Sequence, residues 1–195
     1  MRIAGILLAA GSAVRFGGDK LLEPLPAPSD DCDAGTPIGI AACRHLAAAV
    51  AETVAVVRPG DVALARCLSD AGARVIECPR AHDGMGASIA CGVRSAGDSD
   101  AWLIALADMP WIKPSTIAML ASALATGADI VAPSYLGARG HPVGFSRRHF
   151  AALAALTGDE GARNVLVANQ STLSLQETDD AGILRDIDTR TQLHR

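Results

Sequence analysis

The sequence has few aromatic residues and no stripe of basic side chains. Aromatic residues make up 3% of the 195 residues, and the formal net charge is −4. Proteins that bind nucleic acid usually present clustered basic side chains, and those that bind single strands add aromatic platforms. We therefore expect no nucleic-acid partner.

The sequence also lacks an apolar stretch long enough to span a bilayer, which takes about 20 residues. Residues 1–11 have a basic start and an apolar run, as a signal peptide does, but they continue directly into a glycine-rich loop. A buried first strand explains this stretch better. We expect a soluble, cytoplasmic protein with no membrane partner.

Cysteines are few and form no C-x-x-C pair. Their number is odd, and most stand in apolar surroundings (Cys32, Cys43, Cys67, Cys78 and Cys91). This pattern is typical of reduced thiols in a cytosolic core rather than of a disulfide framework or a cysteine metal site.

Short apolar runs alternate with segments of helical spacing, and half of all residues are hydrophobic. We predict strands over residues 3–8, 53–57, 74–77, 102–106 and 130–132, and helices over 38–50, 61–71, 87–95 and 115–125. Asp61 is expected to cap its helix, and Pro114 to occupy a first turn. The alternation predicts one α/β domain over residues 1–195, with a mostly parallel sheet covered on both faces. Ligands of such folds collect at the carboxyl ends of the strands.

One segment interrupts this alternation. Residues 23–37 are rich in proline, acidic residues and small residues, which indicates an exposed loop. Two interpretations stay open: a surface insertion, or a flexible flap over a bound nucleotide.

A glycine-rich run follows the first strand and ends at Lys20. Its glycines let backbone N–H groups approach a phosphate chain, and Arg15 and Lys20 supply the positive charge that a triphosphate requires. The run is not a P-loop, because Leu21 stands where that motif has Ser or Thr. A dinucleotide-binding Rossmann protein is also disfavoured, since a clean G-x-G-x-x-G is missing and Arg58, not an acid, follows the second strand.

Residues 8–20 resemble the signature L-A-[AG]-G-x-S-x-R-[MF]-G-x-x-K of a nucleotidyltransferase family, that of the molybdenum cofactor cytidylyl- and guanylyltransferases. The run departs from it at the serine position, which is Ala13, with Ser12 just before. Five further blocks resemble those of the family, in the same order: residues 84–92, 106–110, 140–143, 158–163 and 186–189. The resemblance implies a Rossmann-like three-layer α/β/α sandwich. It also implies a nucleotide site that includes Leu8, Ala9, Ala10, Gly11, Arg15 and Lys20.

Asp108 is the first candidate metal ligand. It follows a predicted strand, where a hard carboxylate suits Mg²⁺, although capping of the turn before Met109 and Pro110 explains it equally well from the residues alone. The family resemblance favours metal binding, and it makes Asp188 the second ligand in preference to the neighbouring Asp186.

Three further residues are candidates for ligand contacts. Ser88 lies where a glycine-containing helix begins, so its hydroxyl and nearby N–H groups can meet a nucleotide; close helix packing is the alternative. His141, between Gly140 and Pro142, is either an ordinary turn histidine or, as the family resemblance implies, part of an acceptor pocket. Arg163 could clamp an acceptor phosphate bidentately, or be an ordinary helix-end arginine.

Together these residues predict transfer of a nucleotide to a phosphorylated acceptor. Arg15, Lys20 and Asp108 would be catalytic, with Mg²⁺ as cofactor. No general base is conspicuous in the sequence. A phosphate monoester, with a second pKa of roughly 6, needs none. The resemblance implies Mo-molybdopterin as this acceptor and a molybdoenzyme as a further partner.

The methyl group of Ala10, where guanylyl-transferring relatives have glycine, favours CTP over GTP. Three alternatives stay open: transfer from GTP; another acceptor such as a sugar phosphate or methylerythritol phosphate; and a non-catalytic chaperone that carries the cofactor.

Overall fold

Eight strands form one mixed sheet in the residues that the computed structural model describes, which are 1–11, 15–26 and 33–193. The strands are β1 Ile3–Leu8, β2 Glu52–Val57, β3 Arg74–Glu77, β4 Ala101–Leu106, β5 Ile130–Tyr135, β6 Ala138–Arg139, β7 Val143–Ser146 and β8 Leu173–Glu177. The helices are α1 Ile38–Ala47, α2 Val62–Asp70, α3 Met85–Ser95, α4 Pro114–Ala125, α5 Phe150–Ala154, α6 Arg163–Ala168 and α7 Arg190–Leu193.

The sheet is mostly parallel. Its order is β3-β2-β1-β4-β7-β5-β6, and β8 pairs with β5. Strands β3, β2, β1 and β4 are mutually parallel, whereas β7 runs antiparallel to both β4 and β5. Because β2 and β3 lie on one side of β1 and the chain then returns to β4 on the other, the strand order reverses between β1 and β4. Open α/β sheets bind ligands at such a point.

Helices cover both faces of the sheet, as the alternating pattern of the strands requires. Ile3 and Leu7 of β1 face a core that includes residues of α1, α2 and α4, whereas Ala4 and Ile6 face one that includes residues of α3, α5 and α6. Gly92 permits the close approach of α3, since a Cβ there would lie 2.4 Å from Ile6 Cγ2. The three-layer α/β/α fold is confirmed.

The predicted elements of the first two thirds of the chain are present with small shifts at their ends. Pro114 occupies the first turn of α4, as expected. Asp61 stands at the start of α2, but its side chain makes no capping hydrogen bond. That part of the prediction is wrong; Asp61 lines a cavity described below.

Cys43, Cys67, Cys78 and Cys91 are free thiols, and Cys32 lies outside the described residues. Within residues 1–11, 15–26 and 33–193, none of the helices has the length and apolar character needed to cross a membrane.

Candidate functional site

Four charged side chains meet at the carboxyl ends of β1 and β4. The Lys20 ammonium lies 2.7 Å from Asp108 Oδ2 and 3.8 Å from Asp188 Oδ1. Arg15 Nη1 lies 3.1 Å from Asp188 Oδ2. Lys20 is 9% exposed, and carboxylate partners are what permit a lysine to be so buried. The structure therefore brings together the two cations of the glycine-rich loop and the two predicted metal ligands.

Backbone pairing explains this meeting. Leu8 and Leu106, the last residues of β1 and β4, are partners in the sheet, so the chain leaves both strands at the same edge. Lys20 begins a short 3₁₀ helix in the first of these loops, and Asp108 lies in the second. The Ile187 N–H donates to the Asp108 carbonyl at 3.0 Å, which fixes Asp188 beside Asp108 although they are far apart in sequence.

The end of the chain supports the glycine-rich loop, a role that the sequence did not reveal. The Arg190 guanidinium lies 4.8 Å from the Phe16 ring centroid and pairs with Glu23 at 2.7 Å. The Gln192 side chain accepts hydrogen bonds from the backbone N–H groups of Asp188 and Thr189. Phe16 shares a small buried cluster with Ile187, Leu193, Leu25, Ile38 and Ala41.

A first cavity, of about 190 Å³, opens beside the charged cluster that Arg15, Lys20, Asp108 and Asp188 form. Its lining comes from the loops after β1, β2 and β4 and from the chain end, and includes Leu8, Ala9, Gly11, Lys20, Arg58, Asp61, Leu64, Asp108 and Asp188. Arg58 and Asp61 were not among the predicted site residues. Their position after β2 was the available signal, because that strand ends at the same edge.

Two residues that were predicted to contact the nucleotide do not line the first cavity. Ala10 is 6% exposed and Ser88 is 5% exposed, and neither is among the residues that line this cavity or the second cavity described below. The start of α3 is covered by another predicted block: the Gly86 N–H donates to the Gly158 carbonyl at 2.8 Å. Gly84 has a φ of +116°, and a Cβ there would lie 2.2 Å from an Asp159 carboxylate oxygen. Close packing thus accounts for this helix start.

A second cavity, of about 380 Å³, lies next to the first, and Leu8 lines both. Its floor is apolar and includes Ile104, Val143 and Phe145, and its polar lining residues are Arg139, His141, Glu160 and Arg163. The structure therefore brings His141 and Arg163 into one pocket, together with Arg139 and Glu160, which were not predicted.

His141 is held in its neutral form by its surroundings. Burial lowers the pKa of the imidazole below 6.5, and the positive charge of Arg139 lowers it further; Asp108 and Asp186 oppose the shift. Asp186 thus acts on His141, whereas Asp188 contacts both loop cations.

The pKa of His141 makes stability depend on pH. In the unfolded chain its pKa is near 6.5, so a falling pH protonates the unfolded state before the folded state and lowers the free energy of unfolding. We expect His141→Gln to lose less stability than the wild type between pH 7.5 and pH 5.5 in urea unfolding. His82→Gln, at an exposed histidine, is the control. Equal losses in the wild type and His141→Gln would contradict the prediction.

The ends of the predicted insertion are paired with each other. Leu25 N–H donates to the Thr36 carbonyl at 2.9 Å, and Ile38 N–H donates to the Glu23 carbonyl at 3.0 Å. Asp33 lies 2.8 Å from the His45 ring on α1. Residues 27–32 lie outside the described residues, as do Ser12 and Ala13 of the glycine-rich loop.

The charged cluster fits a divalent metal ion that arrives with phosphates. Mg²⁺ is usually held by one or two carboxylates plus substrate phosphates rather than by a complete protein cage. Asp108 and Asp188 provide such a pair, and a lysine ammonium lies between them. The described ranges contain no group of three or more His, Cys, Asp or Glu residues arranged to hold a metal.

The sequence is similar to a known protein family and to two known proteins over most of its length. The sequence profile of the family described as "MobA-like NTP transferase domain" matches residues 5–173. The purine catabolism protein PucB of Bacillus subtilis (strain 168) is 33% identical over 96% of this chain and 92% of its own length. Nicotine blue oxidoreductase of Paenarthrobacter nicotinovorans is 27% identical over 99% of this chain and 95% of its own.

Among solved structures, Rv0371c of Mycobacterium tuberculosis H37Rv superposes with a TM-score of 0.84 at 23% identity, covering 100% of this chain and 96% of that one. The same Mycobacterium protein has also been crystallised with manganese; that structure superposes with a TM-score of 0.77 at 22% identity, over 100% of this chain and 97% of that one.

Proposed function

Because the chain belongs to the MobA-like NTP transferase family, we propose that it transfers CMP from CTP to the terminal phosphate of Mo-molybdopterin. The products would be molybdopterin cytosine dinucleotide and pyrophosphate. The observation that carries the proposal is the pair of adjoining cavities, which share Leu8. One contains the charged cluster and suits a triphosphate, and the other suits a large acceptor that bears a phosphate.

The charged cluster would organise the triphosphate. Asp108 and Asp188 would hold Mg²⁺, which neutralises negative charge on the phosphate oxygens during transfer. Arg15 and Lys20, now paired with these carboxylates, would pair with the triphosphate instead and stabilise the leaving pyrophosphate.

An acceptor bound in the second cavity would supply the nucleophile. An oxygen of the acceptor phosphate attacks the α-phosphorus of CTP, a new P–O bond forms, and the bond to the β-phosphate oxygen breaks. A phosphate monoester has a second pKa of about 6 and is largely dianionic at neutral pH, so no base is needed to remove a proton. Arg163 and Arg139 would bind the phosphate, and neutral His141 would add a hydrogen-bonding group without further charge.

Base selection would depend on Ala10 and on two side chains of the first cavity. Ala10 stands between Ala9 and Gly11, which both line that cavity. The Ala10 side chain is itself buried, so in this proposal it acts indirectly: a residue other than glycine restricts the backbone here and keeps it from approaching a purine. Asp61 would accept a hydrogen bond from the N4 amino group of cytosine, a pairing that carboxylates make with this base, and Arg58 would donate to the cytosine carbonyl oxygen.

Substituting Ala10→Gly is expected to weaken this selection. A methyl group in a binding pocket is worth about 1–3 kcal/mol, so the ratio of kcat/KM for CTP to that for GTP should fall about tenfold or more. Ala73→Gly is the matched control. Ala73 is also a buried alanine, but it lies at the amino end of β3, whereas the first cavity lies at the carboxyl ends of the strands. An unchanged ratio in Ala10→Gly would show that Ala10 does not select the base.

The transfer itself is tested by pyrophosphate release. Pure protein is incubated with Mg²⁺, Mo-molybdopterin and each of the four nucleoside triphosphates in turn. We expect release with CTP and little with the others. Release with GTP would indicate a guanylyltransferase, and release only when a sugar phosphate or methylerythritol phosphate replaces Mo-molybdopterin would indicate another acceptor.

A second candidate function is that of a non-catalytic carrier of the cofactor for a molybdoenzyme. One observation favours it: the Lys20 ammonium occupies the space between the two carboxylates that would hold the metal. If Lys20 were never displaced, the protein would bind the cofactor without transferring a nucleotide. Binding of Mo-molybdopterin with no pyrophosphate release under any nucleotide would support this function.

A further inference from the structure

Lys20 is the buried cation of the charged cluster. Its side chain is 11% exposed, whereas that of Arg15 is 77% exposed. The ammonium bridges carboxylates from two distant parts of the chain, and one of these contacts is a close hydrogen bond of 2.7 Å. Two cations face two carboxylates, so the cluster carries no net formal charge.

We propose that Lys20 acts as an ammonium lock on the metal site: Asp108 and Asp188 accept a divalent cation only when a nucleoside triphosphate draws Lys20 away from them. The metal and the nucleotide therefore enter together, and the free protein has low affinity for the metal. This inference rests on the proposed function only in taking a nucleoside triphosphate as the ligand that opens the lock.

The electrostatics favour this order. A divalent cation that entered alone would meet the Lys20 charge a few ångströms away, in a partly buried site where charges interact more strongly than in water. It would also have to give up water molecules, which Mg²⁺ does reluctantly. A triphosphate removes both obstacles, because its phosphates neutralise Lys20 and Arg15 and also provide ligands to the metal.

The alternative is that Lys20 and a metal occupy the cluster together. The 2.7 Å contact opposes it, because Lys20 already uses one of the two Asp108 carboxylate oxygens and its ammonium charge would repel a metal bound to the other. Lys20 also begins a 3₁₀ helix whose backbone is fixed by hydrogen bonds from Leu22 N–H to the Asp19 carbonyl and from Lys20 N–H to the Gly18 carbonyl. Opening the lock is then a movement of the flexible side chain rather than of the loop.

Binding of Mn²⁺, measured by the electron paramagnetic resonance signal of the free ion, tests the lock without any turnover. Five proteins are compared: wild type, Lys20→Met, Lys20→Arg, Lys113→Met, and a double variant that combines Lys20→Met with Asp188→Asn. Lys113 is the other lysine of the sequence, and it pairs with the exposed Asp179 at 3.5 Å, so its replacement is a matched loss of charge. Each is titrated alone and with a CTP analogue that carries a methylene group between the α- and β-phosphates and so cannot react.

Without nucleotide, we expect Lys20→Met to bind Mn²⁺ about tenfold or more tightly than the wild type, as loss of a nearby charge in a site of reduced dielectric should produce. Lys20→Arg and Lys113→Met should bind it as weakly as the wild type. Adding Asp188→Asn to Lys20→Met should remove the gain. In the wild type, the analogue should restore tight binding.

Equal Mn²⁺ affinity of the wild type and Lys20→Met without nucleotide would overturn the lock, as would a gain of the same size in Lys20→Arg, which keeps the charge. An analogue that leaves the wild-type affinity unchanged would also overturn it. Failure of the proposed function is separate: a gain in Lys20→Met with no pyrophosphate release from the wild type leaves the lock in place and refutes the transfer. If the wild type binds Mn²⁺ tightly without nucleotide and also releases pyrophosphate, the lock is refuted and the transfer stands.

Discussion

Asp108→Asn is expected to lower the rate of pyrophosphate release by about a hundredfold or more. A bound metal contributes several kcal/mol to stabilising the transferring phosphate, and about 1.4 kcal/mol corresponds to a tenfold change in rate. Asp108 contacts Lys20 at 2.7 Å, so the substitution also removes the carboxylate charge that this lysine faces. The loss should appear in kcat at saturating CTP and acceptor, measured by continuous pyrophosphate detection.

The control for this substitution is Asp179→Asn. Asp179 has an exposed side chain, and its described ion pair is with Lys113 at 3.5 Å, outside the site. Its replacement should leave kcat unchanged. If Asp108→Asn retained more than a tenth of the wild-type rate while remaining folded, Asp108 would not be a metal ligand of the reaction. The turn-capping interpretation of this residue would then be preferred.

Arg163→Met is expected to raise the KM for the acceptor about tenfold or more, with little change in the KM for CTP. Hydrogen bonds to charged groups contribute about 1.5–3 kcal/mol each, and a guanidinium can make two of them to one phosphate. Arg163 lines the second cavity together with His141 and lies outside the described lining of the first. Steady-state kinetics with each substrate varied in turn separates the two effects.

Arg148→Met serves as the matched control, because Arg148 is an exposed arginine in the short 3₁₀ helix Arg147–His149 that precedes α5. It should leave both KM values unchanged. Arg163→Lys should fall between the wild type and Arg163→Met, since lysine keeps the charge but not the planar fork. A rise in the KM for CTP instead of the acceptor would assign the second cavity to the nucleotide.

The first two thirds of the fold follow from local patterns. Strands β1 to β5 and helices α1 to α4 all come from short apolar runs and helical spacing bounded by glycine, proline or aspartate. The later strands do not show this pattern. Strand β7 has four residues, one of them glycine. In β8, which pairs with β5, apolar and polar residues alternate. Their places depend on pairing between distant segments, which local periodicity does not encode.

The candidate site, too, could be predicted only in part from local sequence patterns. Lys20 and Asp108 could be placed near each other from the sequence, because both follow predicted parallel strands and the carboxyl ends of such strands meet at one edge. Asp188 could not, since a backbone hydrogen bond from Ile187 to Asp108 brings it there, and only the family resemblance pointed to it. Arg190 was missed for the same reason. The Ser88 prediction could not anticipate that the chain near Gly158 covers the start of α3.

Transfer of the α-phosphate of CTP is the most direct test of the two-cavity site. The protein is incubated with Mg²⁺, Mo-molybdopterin and CTP labelled with ³²P at the α-phosphate, and the products are separated by chromatography. We predict that the label moves into a molybdopterin cytosine dinucleotide, with one pyrophosphate released per labelled product and no release without the acceptor. Label that stays in CTP, or leaves it as free CMP at the same rate with and without Mo-molybdopterin, would contradict transfer between the two cavities.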